Sequence, residues 1–254
     1  VERLADELGI NSETLLSKTE SIVHGTTVAT NALLERKGAK TGLLTTLGHR
    51  DVLEMREGLK DDRYNMRLPA PAPLVPRFLR LGVRERIKPD GRIHTELDNT
   101  SLDEAINKLR EEKVTSVAVC YLHAYKEPKH EQETKKILEA KLPGASVSIS
   151  SEVFPEIKEY ERVSTTIVNA YVRPIVENYL NRLEERLKNA GYKGSVLIIL
   201  SHGGVAPIEE AIRLSAATVL SGPAGGVAGS KYGASLIGAG DLVPFDMGGT
   251  STDI

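Results

Sequence analysis

One cysteine, Cys120, stands in 254 residues. A lone thiol excludes an internal disulfide framework and fits a reducing, cytoplasmic compartment. Flanked by Val117, Ala118, Val119 and Leu122, it is expected inside a buried strand rather than at a reactive site. No apolar run approaches the roughly 20 residues that span a bilayer, so no membrane-spanning helix is expected. The net charge is only -2. It gives no global basic field to attract nucleic acid or an anionic membrane, and neither is expected as a partner. The six histidines are scattered, with no HExxH pair and no Cys/His cluster, so nothing argues for a structural metal. An initiator methionine and an apolar signal core are also missing. Residues 1–8 read as the middle of a helix, and both ends of the chain are expected to be cut.

What is present is an ordinary globular composition, 40% hydrophobic and 27% charged, enough for one large domain or two modest ones. Two short helices are expected over 1–18, the second capped by Asn11 or Ser12. Strand 21–24, helix 25–37 with Gly38 as its C′ residue, and strand 41–46 give the βαβ rhythm of a largely parallel sheet. Residues 55–91 break that rhythm. Pro69, Pro71, Pro73 and Pro76 make 68–76 an expected surface crossing, and Lys88-Pro-Asp-Gly91 predicts a hairpin with arms 81–87 and 91–95. Asn99 or Ser101 should cap a helix through Glu112. The rhythm resumes with strand 116–122, helix 128–141 and strand 145–150. Next comes a helical region over 160–190, in which Pro174 either kinks one helix or starts a second. A strand over 196–200, helices over 207–215 and 221–237, and a strand over 241–246 complete the chain.

The chemistry concentrates in a few motifs. Phe245-Asp-Met-Gly-Gly-Thr-Ser-Thr-Asp-Ile254 reads as a buried strand turning through two glycines. Glycines let backbone N–H groups close on a polyanion as an anion nest. Asp246 is placed to hold a hydrated divalent cation beside phosphates, and Thr250 to add a hydroxyl contact. Ser221-Gly-Pro-Ala-Gly-Gly-Val-Ala-Gly-Ser230 lacks the Gly-Lys-Ser/Thr ending of a P-loop. Ala224, Gly225, Ala228, Gly229 and Ala234 fall at helical spacing and suit a close helix crossing between lobes. Ser221 and Gly222 stand where a helix start can touch nucleotide. His24-Gly-Thr-Thr-Val-Ala-Thr-Asn31 puts hydroxyls on a helix start beyond a strand end, where ligands gather in α/β sheets. Thr27, Thr30 and Asn31 are the candidates there; the alternative is that Thr26 or Thr27 only caps the helix. His202, in Ser201-His-Gly-Gly204, is either a ligand or acid/base, or a solvent-facing turn residue. Arg56, Arg63 and Tyr64 belong either to a solvated loop or to a grip on an anionic substrate.

Together with Gly48-His-Arg-Asp-Val-Leu53, Tyr160-Glu-Arg-Val-Ser-Thr-Thr166 and Asn169-Ala-Tyr-Val172, these motifs resemble the hydantoinase A/5-oxoprolinase family over nearly the whole chain. That family includes the ATP-dependent N-methylhydantoinase subunit and the related subunit of acetone and acetophenone carboxylases. The resemblance implies an α/β fold of the actin/Hsp70/sugar-kinase type, an RNase H-like ATPase lobe with a mixed sheet flanked by helices. Residues 1–240 would form the first lobe, with a family-specific insertion over about 55–190 and a connecting helix over about 222–238. Residues 241–254 would start the second lobe. The family's N-terminal Asp-x-Gly-Gly-Thr-Phe-Thr-Asp hairpin would precede Val1. The resemblance further implies ATP and Mg²⁺ as cofactors, with Asp246 as catalytic residue and metal holder. Gly248, Gly249, Thr250, Thr252, Ser221 and Gly222 would meet the nucleotide, and Thr27, Asn31 and His202 the substrate. It implies a small cyclic amide as substrate, opened after phosphorylation of its oxygen, and a hydantoinase B-type partner subunit. Ketone carboxylation, or an inactive structural fragment, are the alternatives. Two positions depart from the family: His49 in Gly-His-Arg-Asp, where Phe is common, and Tyr64-Asn-Met66, where Tyr-Asp-Leu is usual.

Overall fold

The computed structural model describes residues 1–58, 62, 64–69, 71–247 and 252–253. It divides into two compact units, Val1–Lys37 with Ile175–Ile254, and Gly38–Pro174. The first unit opens with α1 (Glu2–Glu7) and α2 (Ser12–Lys18). Asn11 caps α2, its side-chain oxygen accepting from the Thr14 amide at 2.7 Å, which satisfies one of the donors that a helix start leaves orphaned. Strand β1 (Ser21–His24) leads into α3 (Val28–Leu34). This helix stops short of Gly38, and Arg36 instead takes the left-handed backbone, at φ 55°. Gly38 lacks a side chain for another reason: a Cβ there would lie 2.0 Å from the Tyr171 ring.

The second unit holds β2 (Thr41–Thr46), α4 (Val52–Met55), β3 (Arg80–Val83), β4 (Arg86–Ile87), β5 (Ile93–Thr95), α5 (Asn99–Glu111), β6 (Ser116–Cys120), α6 (Lys129–Lys141), β7 (Ser146–Ile149) and α7 (Ser150–Val153). Helix α8 (Glu159–Asn189) begins in it. Its sheet has the order β3-β2-β6-β7, parallel throughout. β2 and β6 are buried along their whole lengths, as central strands of a parallel sheet covered on both faces are, even where β2 carries threonines. The expected hairpin exists, but its first arm divides: residues 80–83 join the main sheet, and only Arg86–Ile87 pairs with β5. Asp98, rather than Asn99 or Ser101, caps α5 by accepting from the Ser101 amide. The proline-rich crossing ends inside, with Val75 fully buried in the core. Glu131 is buried among three donors, the Tyr121 amide at 2.9 Å, the Ser150 hydroxyl at 2.6 Å and the Ser151 amide at 2.8 Å. These bonds tie the loop after β6 to the start of α7. Burial pushes the Glu131 carboxyl upward, against the hydrogen bonds that favour its charge.

Pro174 neither ends α8 nor starts a second helix; α8 runs through it, and the two units divide between Pro174 and Ile175. The first unit resumes with β8 (Ser195–Ile199), β9 (Val205–Pro207), α9 (Ile208–Arg213), α10 (Ser221–Ile237), β10 (Asp246–Met247) and β11 (Thr252–Asp253). Its sheet is mixed: β1 runs parallel to β8, and β9 antiparallel to it. The chain is therefore α/β, with parallel and mixed sheets flanked by helices. The buried strand expected over 241–246 is not found. Residues 241–245 pair with no described strand, and Val243 and Phe245 are exposed, because no described sheet neighbour covers them. In α10, a Cβ on Gly226, Gly229 or Gly233 would meet nothing within 4 Å, so no described helix crosses that stretch. No described helix is long and apolar enough to cross a membrane.

Candidate functional site

Two motifs far apart in sequence meet in the first unit. At the carboxyl end of β1, Gly25, Thr26 and Thr27 lead into α3, and the start of α10 lies against them. The Ser221 hydroxyl donates to the Thr26 carbonyl at 2.9 Å and faces the Thr26 amide at 3.4 Å. The Leu220 amide donates to Thr30 Oγ1 at 2.9 Å, and Asn31 Nδ2 to Thr27 Oγ1 at 3.3 Å. Leu220 takes the left-handed backbone at φ 60°, a conformation a leucine adopts only when its surroundings impose it. The result is a cavity of about 470 Å³ lined by Gly25, Thr26, Thr27, Tyr179, Ile199, Ser221, Gly222 and Gly225. It opens at the carboxyl ends of the parallel pair β1 and β8, where open α/β sheets take ligands.

The glycines shape this cavity. A Cβ on Gly222 would come within 3.3 Å of Thr27 Cγ2, and one on Gly225 within 3.0 Å of Ile199 Cδ1. Side chains there would crowd the wall that the helix start presents. α10 has 17 residues, long enough for its first amides and dipole to favour an anion. Pro223, in its first turn, brings no N–H that would need a partner. Backbone donors, hydroxyls and a helix start with no carboxylate in the lining fit a phosphate chain. His24, at the strand end, shares a 2.8 Å hydrogen bond with the Tyr179 hydroxyl and stacks on that ring at 5.8 Å. Burial holds its pKa below the ordinary 6.5, so near neutrality the imidazole is uncharged.

The sequence-derived candidates are distributed unevenly. Thr27, Asn31, Ser221 and Gly222 come together at or beside the cavity. Ser221 is fully buried and its hydroxyl is spent on Thr26, so it holds the helix start that forms the cavity wall. His202 is exposed, outside the lining, in the turn between β8 and β9. Its Nδ1 accepts from the Gly204 amide at 3.2 Å, and a Cβ at Gly204 would strike its ring at 2.5 Å. Asp246 is exposed and pairs with Asp253 across the β10–β11 ladder, as Met247 does with Thr252. The hairpin's arms are thus present. Gly248, Gly249 and Thr250 lie outside the described residues, as does the Thr252 side chain. Among the described residues no group of three His, Cys, Asp or Glu side chains converges as a metal site. For a hydrated Mg²⁺ beside the phosphates, Asp246 is the one sequence-derived carboxylate ligand. Tyr179 was missed, because it lies 155 residues from His24 in a helix with no local signature. A larger groove of about 770 Å³ lies along the second half of α10 and residues 239–244, but its lining carries mainly apolar and small residues.

The fold is thus an α/β one in which a glycine-walled cavity lies at a helix start, at the carboxyl ends of a parallel strand pair. The model of the hydantoinase/oxoprolinase N-terminal region matches residues 1–142, and that of hydantoinase/oxoprolinase matches residues 162–254. The chain belongs to the hydantoinase/oxoprolinase family. It is 38% identical to the caprolactamase subunit alpha of Pseudomonas jessenii, over 99% of this chain and 36% of that protein. With 5-oxoprolinase 1 of Arabidopsis thaliana it shares 33% identity, over 93% of this chain and 20% of that one. The crystal structure of an ATP-dependent caprolactamase from Pseudomonas jessenii superposes with a TM-score of 0.84 at 36% identity, covering 98% of this chain and 36% of that chain. The nucleotide-free structure of acetone carboxylase, an enzyme of ATP-dependent acetone carboxylation, gives 0.89 at 28% identity, with 99% and 37% covered. The chain thus spans about a third or less of the length of these relatives.

Proposed function

We propose that this chain supplies the nucleotide-binding part of a cytoplasmic, ATP-dependent enzyme that opens a small cyclic amide of the hydantoin, oxoproline or lactam kind. The observation that carries this reading is the cavity where Gly25-Thr-Thr27 meets the start of α10. Gly222 and the Ser221 backbone face the phosphates, while Thr27 and Asn31 orient the reacting end. Asp246 holds Mg²⁺, and Gly248, Gly249, Thr250 and Thr252 close on the same phosphates. His202 is kept as a substrate contact reached from the β8–β9 turn. In lobe terms, residues 1–240 with the insertion and the connecting helix form the first lobe, and 241–254 open the second.

ATP bound there supplies the γ-phosphoryl group. The amide oxygen takes it, ADP leaves, and the ring carbon becomes an O-phosphorylated imidate. Water then adds to that carbon and the C–N bond breaks, freeing the ring nitrogen as an amine and leaving an acyl phosphate, which a second water hydrolyses to carboxylate and inorganic phosphate. The chain's residues position and neutralise charge, the main source of catalysis in phosphoryl transfer. Hydrolysis takes place with a partner subunit, as the subunit name of the Pseudomonas relative suggests by analogy. Ketone carboxylation is the second reading, favoured by the TM-score of 0.89 to acetone carboxylase.

The test is ADP release by the protein assembled with its partner subunit, screened against hydantoins, 5-oxoproline, lactams, and ketones with bicarbonate. Gly222→Val should cut turnover at least about a hundredfold by filling the cradle, and Asp246→Ala should do likewise. Turnover unchanged in both variants would overturn the phosphate site. Turnover only with ketones and bicarbonate would select the second reading.

A further inference from the structure

The parallel sheet of the second unit has its own crevice. In the order β3-β2-β6-β7, the chain passes from β2 outward to β3 on one side and takes β6 on the other. Connections therefore diverge between β2 and β6, the place where open parallel sheets receive ligands. The loop after β2 carries His49 there, and the loop after β6 carries His123. Arg86 stands just past the end of β3, where a register shift in its pairing with β5 re-aims the side chain.

Arg86 and His49 are tied together, and both act electrostatically on His123. Arg86 Nη1 donates to His49 Nε2 at 2.9 Å. Arginine only donates, so that imidazole is neutral and carries its proton on Nδ1. Burial and then the Arg86 charge hold the His49 pKa below 6.5. His123 sits in the left-handed region at φ 59°, and its Nδ1 is buried with no described partner. Its ring meets Tyr125 edge-on at 6.0 Å, and Tyr125 in turn lies under the Arg162 guanidinium at 5.2 Å. Arg162 is itself fixed, donating to the carbonyls of Tyr121 at 3.1 Å and Glu156 at 2.9 Å. The scaffold is rigid while its polar atoms remain available. Held at Nη1, Arg86 keeps its Nε and Nη2 edge without a described hydrogen bond or carboxylate partner, and neither atom is among the buried orphans.

We propose that this crevice binds the carboxylate of a small organic acid, gripped side-on by Arg86 Nε and Nη2 with the His49 and His123 imidazoles beside it. A carboxylate matches the planar fork in both spacing and charge. A phosphate dianion fits less well, because the Glu159 carboxylate acts on both imidazoles and the Glu85 carboxylate on His49, and they would repel a second negative charge. The site lies wholly within the second unit, and its assignment is independent of the nucleotide reading.

The test is NMR of the ¹³C-labelled imidazoles in the intact protein, titrated with acetate and, separately, with inorganic phosphate. Acetate should move the His49 and His123 signals saturably. Arg86→Lys, which keeps the charge but loses the fork, should weaken acetate about tenfold, the worth of one charge-assisted hydrogen bond. Arg86→Ala should abolish the shift, with an otherwise unchanged spectrum showing that the variant is folded. Phosphate should bind more weakly than acetate. No saturable acetate shift, equal affinity in the Lys variant, or tighter phosphate binding would each overturn the proposal.

Discussion

At the scale of single residues, the histidines separate by what surrounds them. His130 is buried with Nδ1 2.9 Å from a Glu85 oxygen, and Glu96 lies 3.6 Å from its Nε2. Burial opposes its charge, yet the hydrogen bonds and charges of Glu85 and, less, Glu96 together outweigh it, and the pKa rises above the ordinary 6.5. A base raised in the folded state binds its proton more tightly there than in the unfolded chain. Its stabilisation is therefore complete below pH 6.5 and fades as pH climbs through the raised value. His24, His49 and His123 are lowered instead, burial being the leading cause in each. Their contribution is present above 6.5 and is lost as pH falls through their depressed values. Denaturation of His130→Gln beside the unaltered protein should show the largest stability gap below pH 6.5, closing at higher pH. A gap that widens with pH would contradict the Glu85 pairing.

Between elements, the decisive contact is the buried Ser221 hydroxyl, which joins the start of α10 to the chain between β1 and α3. Ser221→Ala removes its donor and leaves the Thr26 carbonyl without that partner, which should cost about 1–2 kcal/mol. A urea midpoint unmoved by this change would mean that the two elements are not tied there. That join also shows how far the sequence could be read. His24-Gly-Thr-Thr and Ser221-Gly-Pro-Ala-Gly-Gly were each legible as helix starts, because glycines, hydroxyls and proline act within a few residues. Their meeting depends on the β1–β8 pairing, whose partners lie more than 170 residues apart, and no local pattern encodes that. Strand β6 was plain from its apolar run, and β2 from Leu43-Leu44 flanked by β-branched threonines. β9 was missed because three residues ending in Pro207 look like a turn. The strand expected over 241–246 failed in the opposite way: an apolar run needs a sheet neighbour to become a strand, and none is described for it. His202 was legible by its position after β8, but that its Nδ1 accepts from the Gly204 amide in its own turn was not.

Across the molecule, one chain forms two compact units, the second inserted in sequence between the halves of the first. The insertion's core is built on β2 and β6, and Cys120 is its chemical reporter. The thiol is 2% exposed at the end of β6, and burial pushes its pKa up to about 11. The nearby Arg162 charge acts in the opposite direction but does not reverse the shift. Only a thiolate attacks a disulfide reagent, and only an accessible one. In the native protein at pH 8, Cys120 should therefore resist an aromatic disulfide reagent, reacting no faster than the second unit opens. Added urea should accelerate labelling in step with loss of that unit's structure, because exposing a central strand requires most of its core to open. Rapid labelling without denaturant would place Cys120 at a surface, and with it the loop that carries His123. Slow labelling that follows unfolding would establish that β6 is the rigid floor on which His123 and the rest of the crevice rest.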